Sequence, residues 1–284
     1  MSKVIITTDS TSDLSDELLE KYNIKKIPLY VNFNEKSYKD GIDITTEQLY
    51  KKVSELRYLP KTSAVSPGDF VDFFKNLLDE GYSIIHIGIG SDLSTTFNSA
   101  KLAIEILETN KILLVDSKNL SSGIGLLVLK GVKLIEENYE FNQIHQILIQ
   151  TVPKVRSQFA IRTFDYLYKG GRCNALAKIL GSILKIRPII KVIDGKLDVY
   201  KKPMGKMTRS LDIMLNDFFI ELNLQNVDLT NIMLTHSIAH KSLEYMKNKI
   251  LEKLPTANII ISNAGCVISS HCGEGTIGIL YILK

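Results

Sequence analysis

The sequence has no tryptophan, only seven prolines in 284 residues, and three cysteines, Cys173, Cys266 and Cys272. The cysteine count is odd and no pair has C-x-x-C spacing, so neither a disulfide framework nor a structural zinc site is expected. Long apolar runs are also missing. The richest, GIGLLVLKGVKLI, is broken by Lys130 and Lys133, and falls short of the ~18 residues that a membrane-spanning helix needs. At the start, Lys3 is followed by VIITT and then Asp9, a stretch too short and too soon charged for a secretory signal. A cytoplasmic location is therefore expected. Gly88-Ile89-Gly90 lacks the third glycine of a dinucleotide fingerprint, no phosphate-binding G-x-x-x-x-G-K-S/T occurs, and His236 and His240 lack the Glu of H-E-x-x-H.

What remains is an ordinary globular composition, 45% hydrophobic and 23% charged. The length suits two cores. We expect an α/β chain of two domains, residues 1–153 with a parallel sheet in an α/β/α arrangement and residues 154–284 with a mixed sheet. The net charge of +4 hides an asymmetry, because Lys169 to Arg209 holds eleven Lys and Arg against two Asp, or +9, and the rest sums to −5. Such a segment suits a phosphate, an acidic partner or nucleic acid, and equally a solvated face. No recognised RNA-binding or helix-turn-helix signature accompanies the charge, so no nucleic-acid partner is assigned.

The first half reads as strand–helix units. Val4 to Thr8 is a strand and a helix capped by Ser12 or Ser15 follows; Asp9, at the strand end, suits a turn or cap. Ile27 to Phe33 reads as a second strand, EKSYKDGIDI and Pro60-Lys61-Thr62-Ser63 as polar loops, and Ser66-Pro67 as a helix start. The most informative stretch begins at Ile84, IIHIGIGSDLSTT. A β-branched run there meets two glycines and a hydroxyl cluster at a helix start, where free N–H groups favour an anion. A well-capped helix without a ligand would show the same pattern. In the second half, Tyr168-Lys169-Gly170-Gly171-Arg172 places an Arg on a flexible turn before the helix ALAKILGSILKI. Asp194-Gly195 signals a hairpin. His271 falls in a Gly-rich loop, NAGCVISSHCGEG, where it could titrate near neutral pH or donate to a carboxylate. One enzymatic alternative is a lipid esterase with Ser91 as nucleophile and His271 as base. The residue two after Ser91 is Leu93, however, where a nucleophile elbow needs Gly.

Several short motifs in fixed order resemble the DegV family of bacterial fatty-acid-binding proteins, which includes the fatty-acid-binding subunits of fatty acid kinase. They are Asp9-Ser10-Thr11, Pro60-Lys61-Thr62-Ser63, Leu93-Ser94, Tyr168 to Arg172, Gly181 to Pro188, and His271 to Gly278. The resemblance implies a non-catalytic lipid-binding protein with no cofactor or metal. A long-chain fatty acid such as palmitate would have its carboxylate held by Thr62 and Ser91 and its tail buried. His271 would stand near as a donor or partial positive charge, Ser63 and Ser94 would flank, and Arg172 would meet an acyl phosphate or a partner. That partner would be a separate dihydroxyacetone-kinase-like fatty acid kinase, and delivery is compatible with transient membrane contact. The chain departs from the family pattern at Asp92 and Thr95, which replace glycines, and at Met204, where kinase-linked members carry Arg. Asp92 beside a carboxylate would repel it unless it points away.

Overall fold

The run from Tyr82 to Gly88 is buried at every position, as befits a strand covered on both faces. The structure is a computed structural model, and it describes residues 3–173 and 186–284. The expected helix ALAKILGSILKI and most of the motif Gly181 to Pro188 lie outside the described residues.

In chain order the elements are β1 (Lys3–Asp9), α1 (Asp16–Lys21), β2 (Lys25–Ile27), β3 (Tyr30–Phe33), β4 (Lys36–Lys39), α2 (Thr46–Leu56), β5 (Lys61–Ser63) and α3 (Pro67–Asp79). The first half continues with β6 (Tyr82–Gly88), α4 (Thr96–Leu107), β7 (Ile112–Asp116), α5 (Ser122–Glu136) and α6 (Phe141–Thr151). The second half holds β8 (Val155–Ala160), α7 (Asp165–Lys169), β9 (Ile189–Ile193), β10 (Lys196–Lys201) and α8 (Met207–Asn223). It closes with β11 (Val227–Ser237), α9 (His240–Lys253), β12 (Ile259–Asn263), α10 (Cys266–Cys272) and β13 (Thr276–Leu283).

One sheet is parallel, in the order β2-β1-β6-β7. A second, β10-β9-β8-β13-β11-β12, is mixed: only β11 and β12 run parallel. The fold class is thus the one expected. Caps behave as their chemistry demands: Ser15 and Ser66 accept from the third residue of α1 and α3. Asp9 accepts from the Thr11 and Ile89 N–H groups and so ties the end of β1 to the end of β6.

The structure differs from the sequence reading in the segment 27–63. The single strand expected from Ile27 to Phe33 is split at Pro28, which has no N–H for a ladder; β2 stays in the parallel sheet and β3 leaves it. The segments read as loops supply β4 and β5, which pair with β3 in a small antiparallel sheet. This sheet brings Thr62 to the edge of the cavity described below.

Helix α5 joins the two large sheets, touching β1 and β6 on one side and β8, β11 and β13 on the other. Its apolar residues are buried nearly all round, as an internal helix requires. One core cluster therefore runs from Ile6 and Ile85 through Leu127 to Phe159, Met233 and Leu280, across the change of sheet near Pro153.

Candidate functional site

At the end of β6 the chain turns sharply. Leu93 and Ser94 N–H donate to the Gly90 carbonyl, and a Cβ at Gly90 would lie 3.0 Å from the Asn119 nitrogen. Glycine is needed there because the two loops touch. The loop lies outside the carboxyl end of a parallel strand, where open α/β sheets place ligands. It forms one wall of a cavity of about 490 Å³, within the ~300–1,000 Å³ typical of small-molecule sites.

All six residues singled out from the sequence line this cavity: Thr62 and Ser63 on β5, Ser91 and Ser94 on the loop, Arg172 after α7, and His271. Leu29, Ile89, Leu93, Leu120, Phe159, Leu167, Leu197 and Leu280 supply its apolar lining. Thr62 Oγ1 and His271 Nε2 are 2.8 Å apart. The Ser91 hydroxyl donates to Asp116 Oδ2 at 2.6 Å, and its N–H donates to Oδ1 at 3.1 Å. Ser63 Oγ accepts from Asn32 Nδ2, and Ser94 Oγ accepts from the Thr96 N–H within the turn. Arg172 is exposed at the mouth, where Nη1 donates to the Gly170 carbonyl at 2.7 Å and Nε reaches the Leu93 carbonyl at 3.5 Å.

His271 is not in a loop. It sits in the last turn of α10, whose first N–H groups are held from the other half of the chain: Asp13 accepts from Gly265 and Asp40 from Cys266. Nor is its ring charged. Burial first, and the Arg172 guanidinium second, push its pKa down to about 4, so near neutral pH it serves as a neutral imidazole. This replaces the expectation of a partial positive charge. Its Nδ1 is buried and has no hydrogen-bond partner among the described residues. The Gly-Gly-Arg turn also differs from expectation. Gly170 has helical backbone angles, and what it supplies is room, since a Cβ there would stand 2.3 Å from His271 Nδ1.

The esterase geometry is not formed. His271 is engaged with Thr62 and Ser91 with Asp116, so no nucleophile–base pair joins Ser91 to His271. Asp92 Oδ2 turns to the tip of the β9–β10 hairpin, where it would lie 3.0 Å from a Cβ on Gly195. Met204 is exposed. His236 and His240 stack edge to face at 4.9 Å, and no metal-binding cluster occurs among the described residues. Likewise, no described helix is long and apolar enough to cross a membrane.

Comparison with known proteins decides the family. The sequence profile described as "Uncharacterised protein, DegV family" matches residues 3–284. The chain belongs to the DegV family. A DegV domain-containing protein of Clostridium acetobutylicum is 36% identical over 293 residues, covering 100% of both chains. Among solved structures, a DegV family protein from Thermus thermophilus described for its fatty acid binding superposes with a TM-score of 0.91 at 27% identity, covering 99% of this chain and 100% of that one. A stearic acid-binding protein from Eubacterium ventriosum gives 0.86 at 27% identity, covering 99% and 98%. The Thermus and Eubacterium proteins are described by the fatty acids they bind.

Proposed function

We propose that this DegV chain binds a long-chain fatty acid in the 490 Å³ cavity and presents its carboxylate, at the mouth, to a separate kinase that forms the acyl phosphate. The chain acts as carrier and supplies no catalytic group. The observation that carries this reading is the Thr62–His271 pair standing at the edge of a predominantly apolar cavity.

The chemistry follows from the neutral imidazole. When Nε2–H donates to Thr62 Oγ1, the Thr62 proton is free to point at a carboxylate oxygen, and the hydrogen bond is strengthened by the ligand's charge. Ser91 joins by rotating its hydroxyl from Asp116 to the ligand. Neutral donors orient the carboxylate without neutralising it, so it keeps the negative charge a phosphoryl acceptor needs. Arg172, exposed beside it, is placed for the phosphate of the product or for the partner. Affinity comes from the tail: about fourteen methylenes at ~0.8 kcal/mol each give ~11 kcal/mol before the costs of binding.

The test is the double variant Thr62→Val, Ser91→Ala. Each lost hydrogen bond to a charged group is worth about 1.5–3 kcal/mol, so with two such losses fatty-acid affinity should fall by about a hundredfold or more. Supplied with ATP and a fatty acid kinase, the wild type should yield acyl phosphate and the variant little. Unchanged affinity would remove Thr62 and Ser91 from the site.

A further inference from the structure

The floor of the cavity is one face of the mixed sheet, and that face is not uniformly apolar. The register pairs Ser237 with Thr276, Thr235 with Gly278, Gly278 with Phe159, and Leu280 with Ser157, so all these residues share a face. Phe159 and Leu280 make one part of it greasy. Ser157, Thr235, Ser237 and Thr276 make the rest polar, and each is more than nine-tenths buried while lining the cavity.

The direction of their hydrogen bonds determines what this floor can accept. The Ser157 hydroxyl donates to Asn119 Oδ1 at 2.8 Å, and Thr276 donates to the Cys272 carbonyl at 2.8 Å. Ser237 Oγ shares hydrogen bonds with Ser269 Oγ and Tyr50 OH, both of which also reach main-chain carbonyls, Ala264 and Ser269 respectively. Thr235 shares a hydrogen bond with Ser122. The Ser121 proton, at the same cavity, goes to Asp13. The hydroxyl protons of Ser121, Ser157 and Thr276 are therefore directed into the protein, and their oxygens keep lone pairs on the cavity side. A carboxylate is repelled by such a surface. A plain alkyl chain makes no hydrogen bond to it. A ligand O–H donates one.

Resting on the fatty-acid reading above, we propose that the preferred ligand is a hydroxylated long-chain fatty acid. Its in-chain hydroxyl donates to Ser157 Oγ while its methylenes lie on Phe159, Leu197 and Leu280. A keto group at the same place has no proton to give and gains nothing.

The experiment compares the wild type's affinity for stearic acid, for a set of monohydroxystearic acids differing in hydroxyl position, and for the matching oxostearic acids. One hydroxy isomer should bind more tightly than stearic acid by up to about tenfold, the worth of one neutral hydrogen bond, and its oxo analogue should not. Ser157→Ala should lower the ratio of hydroxystearic to stearic affinity. The inference is overturned if stearic acid binds and no hydroxy isomer exceeds it, as expected were ordered water to occupy the floor, or if the preference survives Ser157→Ala. Failure of stearic and hydroxystearic acids alike would overturn the fatty-acid reading itself.

Discussion

Thr62 and His271 are 209 residues apart in sequence and 2.8 Å apart in space. The family motifs singled out both, and both line one cavity, but the imidazole's charge was not legible, because it depends on burial that only the packed chain creates. With its pKa lowered to about 4, His271 refuses a proton that the unfolded chain accepts below its ordinary value of ~6.5. The unfolded state therefore binds more protons between those values. This contribution to stability is present above pH ~6.5 and lost as pH falls toward 4. His86, pushed down to about 3 by burial, and His236, also lowered, act in the same direction; the buried Asp9, Asp13 and Asp40, raised by burial, act in the opposite one. The decisive quantity is thus a difference. Urea denaturation of wild type and His271→Gln across this range should show the variant with the shallower loss on acidification, and parallel curves would contradict a neutral His271. Asp116, which accepts from both the N–H and the hydroxyl of Ser91, was not singled out by the motifs. Its position at the carboxyl end of β7, next to β6, was the available signal.

Helix α10 was read as a loop because its seven residues, CVISSHC, carry two β-branched side chains and lie among glycines, a poor helix by propensity. It forms because distant carboxylates satisfy its first N–H groups. Asp40, 226 residues away, accepts from Cys266 at 2.7 Å and from the Ser10 hydroxyl at 2.9 Å. Short strands were lost for the same reason: β4 and β5 are polar segments whose pairing partner, β3, defines them. Since α10 carries His271, its anchor has a functional consequence. Asp40→Ala leaves two buried donors without an acceptor and should cost about 1–3 kcal/mol, with fatty-acid affinity falling as His271 loses its position. Ser66→Ala, which uncaps α3, should cost about 1 kcal/mol and leave affinity as it was. Chemical denaturation and ligand titration of the two variants separate these effects; equal affinities would show that α10 holds without Asp40.

The two α/β halves were legible from strand–helix alternation, whereas their joining was not. The run GIGLLVLKGVKLI, noted in sequence for being too interrupted to span a membrane, becomes the helix that both large sheets bury. A surface helix shows one apolar stripe, and this one must be apolar on opposite sides because it faces a sheet on each. The cavity lies where those sheets meet, with Ile89 and Leu93 from the first half and Phe159 and Leu280 from the second, so the cavity exists only in the joined molecule. Folding should then be a single cooperative event. Guanidinium unfolding followed by helical circular dichroism and by fluorescence of the twelve tyrosines, the chain having no tryptophan, should give coincident transitions. Leu127→Ala, in a fully buried position of α5, should lower stability by about 2–5 kcal/mol and move both signals together. Two separated transitions, or a shift in only one, would mean that each half is stable without the other and that α5 belongs to one of them.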